Sequence, residues 1–511
     1  MAGFGIATFS DHVTTPEGSV SASILDVDIN SLKKVFEYCL VADILGTMLS
    51  NKMANELIGS IDSVWQQCIC QDYIDIDNPV LSDRKTSCST FRESWLSWRN
   101  DFIKYKNVKK VMTSWKVFET WASENSPAVY ESLREGATEK DLVETEEELG
   151  QSLPASLRLL YRIHNGQDLI LDKIRDAQKG LGEFPQRQVT REQIDASMVH
   201  GMFGGYQFYD KLVSTRLLTL DQLVFYTKHG FSSEIKIMEE HPDMVIFATS
   251  FDLQKRFYVK CKTGNIYVSL RTITDGVLPA APLGEPLDSV FTERGGRCRH
   301  VLDNQKDAEP NCEGNFANWF HEYCHRLETG VYKLDCIQTL SQPTRTSLAI
   351  SLFPQTFAHG ATEQVTKGVR IHVSPVFCPE MCSSSQIGAG PFPAFFWVYS
   401  VTMELLKDHT SRPRSMIECQ LTHRYWRIEE SDGSVEEVRG DAVVGLYPHL
   451  RTHPPEGELP FSYQSCTSLE GIPGKMGGHF VFVPGTMDSP QGEAFEAIIK
   501  DFALTEPKYI F

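Results

Sequence analysis

Cysteine and histidine side chains that bind zinc occur together in the segment NCEGNFANWFHEYCHR: Cys312, His321, Cys324 and His325. At helical spacing His321 lies on the same face as Cys324 and His325, and zinc accepts both imidazole and thiolate ligands. The spacing matches no paired Cys-x-x-Cys pattern of a structural zinc site. The same residues fit an amphipathic helix that ends at Gly330. The helix is the simpler interpretation, so we predict no metal.

Backbone N–H groups of a glycine-rich segment, GIPGKMGGHF, offer the chemistry of a phosphate cradle. Its glycines do not follow a strand and open a helix, as a dinucleotide-binding fingerprint requires, so turns between strands explain them. The sequence contains no P-loop, G-x-S-x-G elbow or His-Glu-x-x-His motif. We therefore predict a protein with no catalytic residues and no cofactor.

Charge and composition exclude several classes of partner. The net charge is −18, from 49 Lys and Arg against 67 Asp and Glu, which disfavours nucleic acid and anionic membranes. The start of the sequence lacks a basic and apolar secretory signal, and nothing in the chain reaches the roughly 18 apolar residues of a membrane span. The 13 cysteines are scattered, which indicates reduced thiols in the cytoplasm or nucleus.

The 511 residues exceed what a single hydrophobic core accommodates, and about three domains are expected. Residues 1–23 are predicted to be a flexible tail, and residues 24–105 show apolar residues at helical spacing. Residues 106–328 combine helical and strand patterns, as in an α+β domain. Residues 329–511 alternate short apolar segments with Gly, Pro and Ser turns, which predicts an all-β sandwich.

Local signals divide the middle region into elements. Thr138 with Asp141 forms a capping-box pattern at the start of a helix that Gly150 ends. The next helix stops before Gly166, and Gly264 marks a hairpin turn. Four tryptophans at helical spacing are predicted to be core rather than a ligand cage: Trp95, Trp98, Trp115 and Trp121.

From residue 365 to residue 504 the chain resembles the ApaG domain. The motifs that carry the resemblance appear in the order VRIHVSPVF, FWVYSVTMEL, QLTHRYWRI, VRGDAVVGLYPHL, FSYQSC, GKMGGHFVFVPG and FEAIIKDFAL. The resemblance implies a fibronectin-III-like β-sandwich. The middle region is similar to the SUKH (Smi/Knr-type) superfamily through LPASLRLLYRIHNGQD, GMFGGY and LLTLDQL. That family implies an α+β protein-interaction module without a common catalytic centre.

The first helical region resembles an F-box, an all-α module that binds a Skp-type adaptor. Residues on family positions are the predicted adaptor contacts: Leu25, Leu32, Val35, Phe36, Leu40, Ile44, Leu45 and Trp65. The chain departs from the pattern at its start, where Leu25-Asp26 replaces the usual Leu-Pro. It also shows NKMANEL in place of the Val-Cys-Lys-Arg-Trp-like run.

An F-box, a SUKH domain and an ApaG domain in this order resemble the F-box only protein 3-like family, and the layout is closest to its plant Skp-interacting members. The resemblance implies a non-catalytic substrate-recognition subunit of an SCF-type E3 ubiquitin ligase. Its partners would be the Skp-type adaptor, cullin through that adaptor, and a target protein held by the SUKH domain, the ApaG domain or both. The alternative is a non-ligase scaffold whose ApaG sandwich binds a protein or a small anionic ligand.

One loop of the ApaG-like region is a candidate ligand- or target-binding site, consisting of Gly440, Asp441, Ala442 and Gly445. Some bacterial ApaG proteins have a Gly-x-Gly-x-x-Gly form here, for which phosphate binding is proposed. In this chain Ala442 replaces the middle glycine and Asp441 adds a carboxylate, and both changes disfavour an anion. A structural turn or a protein-docking loop is the favoured interpretation.

Overall fold

A computed structural model describes residues 41, 44, 46, 48, 56, 58–178, 189–229, 242–270, 276–282, 314–339, 342–382 and 395–511. The chain divides into two compact units, Met1–Thr113 and Ser114–Phe511. In the part of the chain so described, no helix has the length and apolar character needed to cross a membrane.

Tryptophan packing joins the helices α1 (Asp62–Asp72) and α2 (Phe91–Phe102) of the first unit. The ring centroids of Trp65 and Trp95 lie 4.9 Å apart, and both side chains are buried. The Asp62 carboxylate accepts a hydrogen bond of 2.8 Å from the first backbone N–H of α2. This bond satisfies a helix-end donor that has no partner within the helix. The described part of this unit is therefore helical around an aromatic core.

The middle region begins the second unit with helices whose ends follow local sequence signals. At the start of α5, Thr138 and Asp141 form the predicted capping box, and Gly150 ends the helix at φ 71°. Both predictions are confirmed. The boundary between the two units falls within α3 (Val108–Asn125). The described helices that follow it are α4 (Pro127–Glu131), α5 (Glu139–Leu149), α6 (Ala155–Ile163), α7 (Ile170–Gln178), α8 (Arg191–Val199), α9 (Leu220–His229) and α10 (Gly314–Glu328).

An eight-stranded sheet runs through the middle region in the order β6-β5-β4-β3-β2-β1-β8-β7. Neighbours pair antiparallel except β1 and β8, which are parallel where Gly205 meets Ser351. The turn predicted at Gly264 joins β4 to β5 at φ 70°, which confirms the hairpin. The strands are β1 (Gly205–Phe208), β2 (Lys211–Leu217), β3 (Met244–Ser250), β4 (Arg256–Lys260), β5 (Ile266–Ser269), β6 (Val277–Pro279), β7 (Lys333–Thr339) and β8 (Gln342–Ser351).

Helices cover both faces of this sheet, which explains the continuous apolar run in β3. Successive residues of a strand point to opposite faces. Ile246 packs with Tyr226 of α9, while the Phe247 ring lies 5.8 Å from the Trp319 ring of α10. Every residue of β3 is buried. A strand covered on both sides has no solvent face and therefore no polar alternation.

The C-terminal region is a two-sheet sandwich. One sheet has the strand order β15-β11-β10-β9 and the other β13-β12-β16-β17, with β14 pairing β12. The rings of Tyr399 in β11 and Trp426 in β12 lie 5.3 Å apart, so the inner faces of the sheets are in contact. The strands are β9 (Thr362–Thr366), β10 (Val369–Phe377), β11 (Phe395–Leu405), β12 (Glu418–Glu429), β13 (Val435–Asp441), β14 (His449–Arg451), β15 (Phe461–Leu469), β16 (Gly474–Pro484) and β17 (Phe495–Leu504).

Buried contacts join the sandwich to the middle region within the second unit. The Tyr206 hydroxyl of β1 donates a hydrogen bond to the buried Glu380 carboxyl, which follows β10. After β17 the chain returns to the middle region, where Trp319 Nε1 donates a 2.7 Å hydrogen bond to the Ile510 carbonyl. Phe511 is buried beside Trp319. The two regions are thus tied together at more than one point.

The β7–β8 hairpin belongs to the middle sheet, although it follows the boundary predicted at residue 329. Its β8 pairs with β1, and the sandwich proper begins with β9. The sequence could not distinguish the two assignments, because a strand that pairs in either sheet carries the same alternating pattern.

The residues considered for zinc are not brought together. Cys324 is buried in α10, whereas His321 and His325 are exposed on the same helix. Cys312 lies outside the described residues. Among those that the structure describes, no group of His, Cys, Asp or Glu is arranged to hold a metal ion.

Candidate functional site

A cavity of about 310 Å³ opens in the sandwich and is the strongest candidate site. Strands β11 and β15 of one sheet and β12, β13 and β16 of the other contribute its walls. The loop after β13 adds Val443–Gly445, and the turn between β1 and β2 of the middle region adds Tyr209. We call this cavity the aromatic cleft, with Tyr209, Tyr399, Arg424, Trp426 and Tyr463 as its defining residues. Both regions of the second unit therefore build it.

Strand alternation places an arginine among apolar side chains on the inner face of β12. Arg424, Trp426 and Ile428 are two residues apart, so they share one face of the strand. All three line the aromatic cleft, and Trp426 and Ile428 are buried. A charged side chain at an inward position is costly unless it is hydrogen-bonded or paired. The partners of Arg424 therefore decide what the cleft can bind.

Loop carbonyls hold the Arg424 guanidinium in place. Its Nη1 donates hydrogen bonds of 2.7 Å to the Asp441 carbonyl and 2.8 Å to the Ala442 carbonyl. Gly440 is the cross-strand neighbour of Arg424, and a Cβ there would lie 3.1 Å from the guanidinium. A glycine at 440 lets the guanidinium lie across the strand. No carboxylate in the described part of the chain forms an ion pair with Arg424.

The Tyr463 hydroxyl is buried in the wall of the cleft, and no described group forms a hydrogen bond with it. Burial raises the pKa of this phenol well above its ordinary value, and Tyr399 adds to the rise while Arg424 opposes it. The hydroxyl thus keeps its proton and can donate a hydrogen bond. Because a buried polar group without a partner is destabilising by about 1–3 kcal/mol, this orphan donor suggests a ligand.

Tyr209 brings the middle region to the mouth of the cleft. Its hydroxyl lies 3.1 Å from the Ser465 hydroxyl of β15, yet 60% of the side chain remains exposed. Its φ is 48°, in the left-handed region that residues other than glycine rarely adopt. Strained backbone of this kind often occurs at functional sites. The geometry presents an aromatic face to whatever occupies the cleft.

The candidate loop predicted from sequence is a tight turn beside the cleft. Val443 and Leu446 exchange backbone hydrogen bonds of 2.9 and 2.8 Å, with Ala442 at φ 61° and Gly445 at φ 78°. The Asp441 carboxylate lies on the exposed surface, 3.2 Å from His423. Of the four predicted loop residues only Gly445 lines the cleft. Asp441 therefore adds no carboxylate to it, and binding by the loop stays a prediction.

Two of the predicted adaptor contacts lie among the described residues. Ile44 and Trp65 are buried, and Trp65 packs on Trp95. Their contact with an adaptor stays a prediction. The others lie outside the described residues: Leu25, Leu32, Val35, Phe36, Leu40 and Leu45.

A second cavity, of about 320 Å³, lies in the middle region, and several of its charged lining residues form ion pairs with neighbours in the fold. Asp172 pairs with the buried Arg216 at 2.5 Å, and Lys173 pairs with Asp168 at 2.9 Å. Ion pairs of this kind maintain the fold. This cavity is a weaker candidate than the aromatic cleft.

The cleft residues were not predicted as a site. Arg424 had a usable signal, since it stands two residues before a buried tryptophan and so occupies an inward position. No local sequence signal marks Tyr209 as a site residue, because its neighbours in the cleft come from a distant part of the sequence. Tyr399 and Tyr463 are buried strand residues, and nothing in their local sequence separates them from ordinary core aromatics.

Comparisons with known proteins identify the same regions. Residues 136–274 match the SMI1/KNR4 family (SUKH-1), and residues 391–484 match the ApaG domain. F-box protein SKIP16 of Arabidopsis thaliana is 30% identical over 462 residues, 88% of this chain and 92% of the relative. F-box only protein 3 of Bos taurus is 25% identical, covering 83% of this chain and 72% of the relative. Protein ApaG of Methylocella silvestris is 34% identical over 28% of this chain. The chain belongs to the family of F-box proteins with SUKH and ApaG domains that includes SKIP16 and F-box only protein 3.

Proposed function

We propose that this protein is the target-recognition subunit of an SCF-type E3 ubiquitin ligase. The observation that carries the proposal is the similarity over 88% of the chain to a protein named as an F-box protein. Its first unit would bind a Skp-type adaptor and, through it, cullin. Its SUKH and ApaG domains would hold the target.

The aromatic cleft supports a binding role without chemistry. The described residues that line it include neither a carboxylate nor a histidine, so it offers no acid–base pair. Burial raises the pKa of the Cys466 thiol, which keeps it protonated and a poor nucleophile. A ligase receptor needs none of these groups, because it acts by bringing the target close to a ubiquitin-loaded enzyme.

Calorimetry with a purified Skp-type adaptor tests the first half of the proposal. We expect sub-micromolar binding by the full chain and its loss when Leu32, Phe36 and Leu40 are all replaced by Asp. An F-box buries apolar residues against its adaptor, and a buried unpaired carboxylate would oppose that contact. Leu459→Asp is the matched control, because Leu459 is an exposed leucine of the sandwich. It should bind the adaptor as the parent does.

Two results would contradict the ligase assignment. One is no detectable adaptor binding by a chain that is folded and monomeric. The other is equal binding by the parent and the triple variant. Either would favour the alternative, a non-ligase scaffold or ligand-binding protein, which the unpartnered Tyr463 hydroxyl supports independently.

A further inference from the structure

The described lining of the aromatic cleft combines a cation with an unpartnered hydrogen-bond donor and includes no carboxylate. Arg424 contributes a cation, and Tyr463 contributes a protonated hydroxyl without a partner. Around them stand the apolar faces of Tyr399 and Trp426. The whole chain carries a net charge of −18. The described lining of the cavity, by contrast, contains an arginine and no carboxylate, so its charge is opposite in sign to that of the chain. Its complement is an acceptor with negative charge and an apolar neighbour.

We propose that the aromatic cleft binds an acidic side chain of the target protein, together with an apolar residue adjacent to it in the target sequence. This inference rests on the proposed function, since it names the chemistry by which the receptor would select its target. Tyr209 comes from the SUKH domain and the other lining residues come from the ApaG domain, so the bound target would contact both domains at one site.

A carboxylate fits the free donors of Arg424 better than other anions do. Nη1 is occupied by the Asp441 and Ala442 carbonyls, and no residue in the described part of the chain is a partner of Nε or Nη2. A guanidinium edge with two N–H groups matches the two oxygens of a carboxylate. A phosphoryl group carries about −1.5 to −2 at neutral pH. The described lining has no second cation to balance that charge.

The size of the cleft limits the occupant to a short segment. Its volume of about 310 Å³ is at the lower end of the 300–1,000 Å³ typical of ligand pockets. An acidic side chain beside an aromatic or aliphatic one is of this order. The exposed Tyr209 face at the mouth would cover the apolar residue.

Peptide selection on the full chain tests this inference. A phage-displayed library of random dodecapeptides is selected against the purified protein, and the enriched peptides are synthesised with a fluorescein label. We expect them to share an Asp or Glu next to an aromatic or aliphatic residue. Fluorescence polarisation should show at least a tenfold loss when that acidic residue is changed to Gln, because a charge-assisted bidentate contact is removed.

Variants of the chain locate the peptide. Tyr463→Phe should weaken binding about fivefold through one lost hydrogen bond, and Tyr209→Ala about tenfold through the lost aromatic cover. Arg424→Gln should remove the difference between the acidic peptide and its Gln counterpart. Tyr130→Ala is the matched control, since Tyr130 is an exposed tyrosine that does not line the cleft, and it should leave affinity unchanged. Because Arg424 also holds the loop, the two tyrosine variants keep the test valid if Arg424→Gln folds poorly.

Several outcomes would overturn the inference. Enriched peptides without an acidic residue would do so, and so would a library that yields no peptide sensitive to Tyr463→Phe or Tyr209→Ala. Tighter binding when the acidic residue is replaced by phosphoserine would assign the cleft to a phosphoryl group instead. Adaptor binding is measured separately on Tyr209→Ala and should be unchanged. Loss of peptide binding and loss of adaptor binding are therefore distinguishable failures.

Discussion

Replacing Phe511 by Ala should destabilise the second unit strongly, because this side chain packs in the core of the middle region. Only 3% of Phe511 is exposed, and its ring centroid lies 5.2 Å from those of both Trp319 and Tyr323. The Arg326 guanidinium carbon lies 5.1 Å from the same ring. Truncating a buried phenylalanine to alanine typically lowers the free energy of unfolding by about 3–5 kcal/mol. We expect a loss in that range.

Urea unfolding followed by tryptophan fluorescence measures this loss, since Trp319 lies beside the deleted ring. Phe357→Ala is the matched control, because 66% of Phe357 is exposed, and it should change stability by less than about 0.5 kcal/mol. Phe511→Leu keeps most of the buried volume and should lose less than about 1.5 kcal/mol. A change of under about 1 kcal/mol for Phe511→Ala, close to that of the control, would refute the assignment of Phe511 to the core.

Two further substitutions test electrostatic and backbone features. Burial raises the pKa of Glu380 from 4.5 to about 8, so the folded chain keeps a proton that the unfolded chain releases above about pH 4.5. Between about pH 4.5 and about pH 8, the free energy of unfolding of the parent should therefore fall by up to about 1.4 kcal/mol per pH unit relative to that of Glu380→Gln. Above about pH 8 the difference between the two proteins should stay constant. Urea unfolding at a series of pH values checks this, and equal slopes would contradict it. Ala442→Gly should stabilise the sandwich by about 0.5 kcal/mol, because it relieves a left-handed alanine at φ 61°. Calorimetry should show a higher Tm for it and a lower Tm for the control Gly445→Ala; the opposite order would refute the strain.

Structural features that are determined by a few neighbouring residues could be predicted from the sequence. The capping box of Thr138 and Asp141 needs only its own turn of helix, and Gly150 ends that helix through its own φ. The buried positions of Trp95, Trp98 and Trp115 follow from helical spacing in the same way, whereas Trp121, predicted with them, is only half-buried. Such signals are local, so tertiary context rarely changes them.

Features that depend on distant pairing could not be predicted. The β7–β8 hairpin joins the middle sheet through the parallel register of Gly205 with Ser351, and nothing in its own alternation shows that partner. Tyr209 reaches Ser465 for the same reason, through packing between domains rather than through a motif. The loop predicted from the sequence therefore lies beside the cleft, but the residues that give the cleft its chemistry were not predicted.

A site built by two domains is useful only if the domains are held in one arrangement. The aromatic cleft takes Tyr209 from the SUKH domain, while the buried Tyr206–Glu380 hydrogen bond connects β1, the strand that precedes Tyr209, to the C-terminal region. The returning chain adds a second tie, since Lys255 donates a hydrogen bond to the Phe511 carbonyl inside the SUKH core. Loosening either tie would let the Tyr209 turn move away from Ser465 and open the mouth of the cleft. Glu380 and Phe511 do not line the cleft, yet their buried contacts hold the two domains in the arrangement on which target recognition would depend.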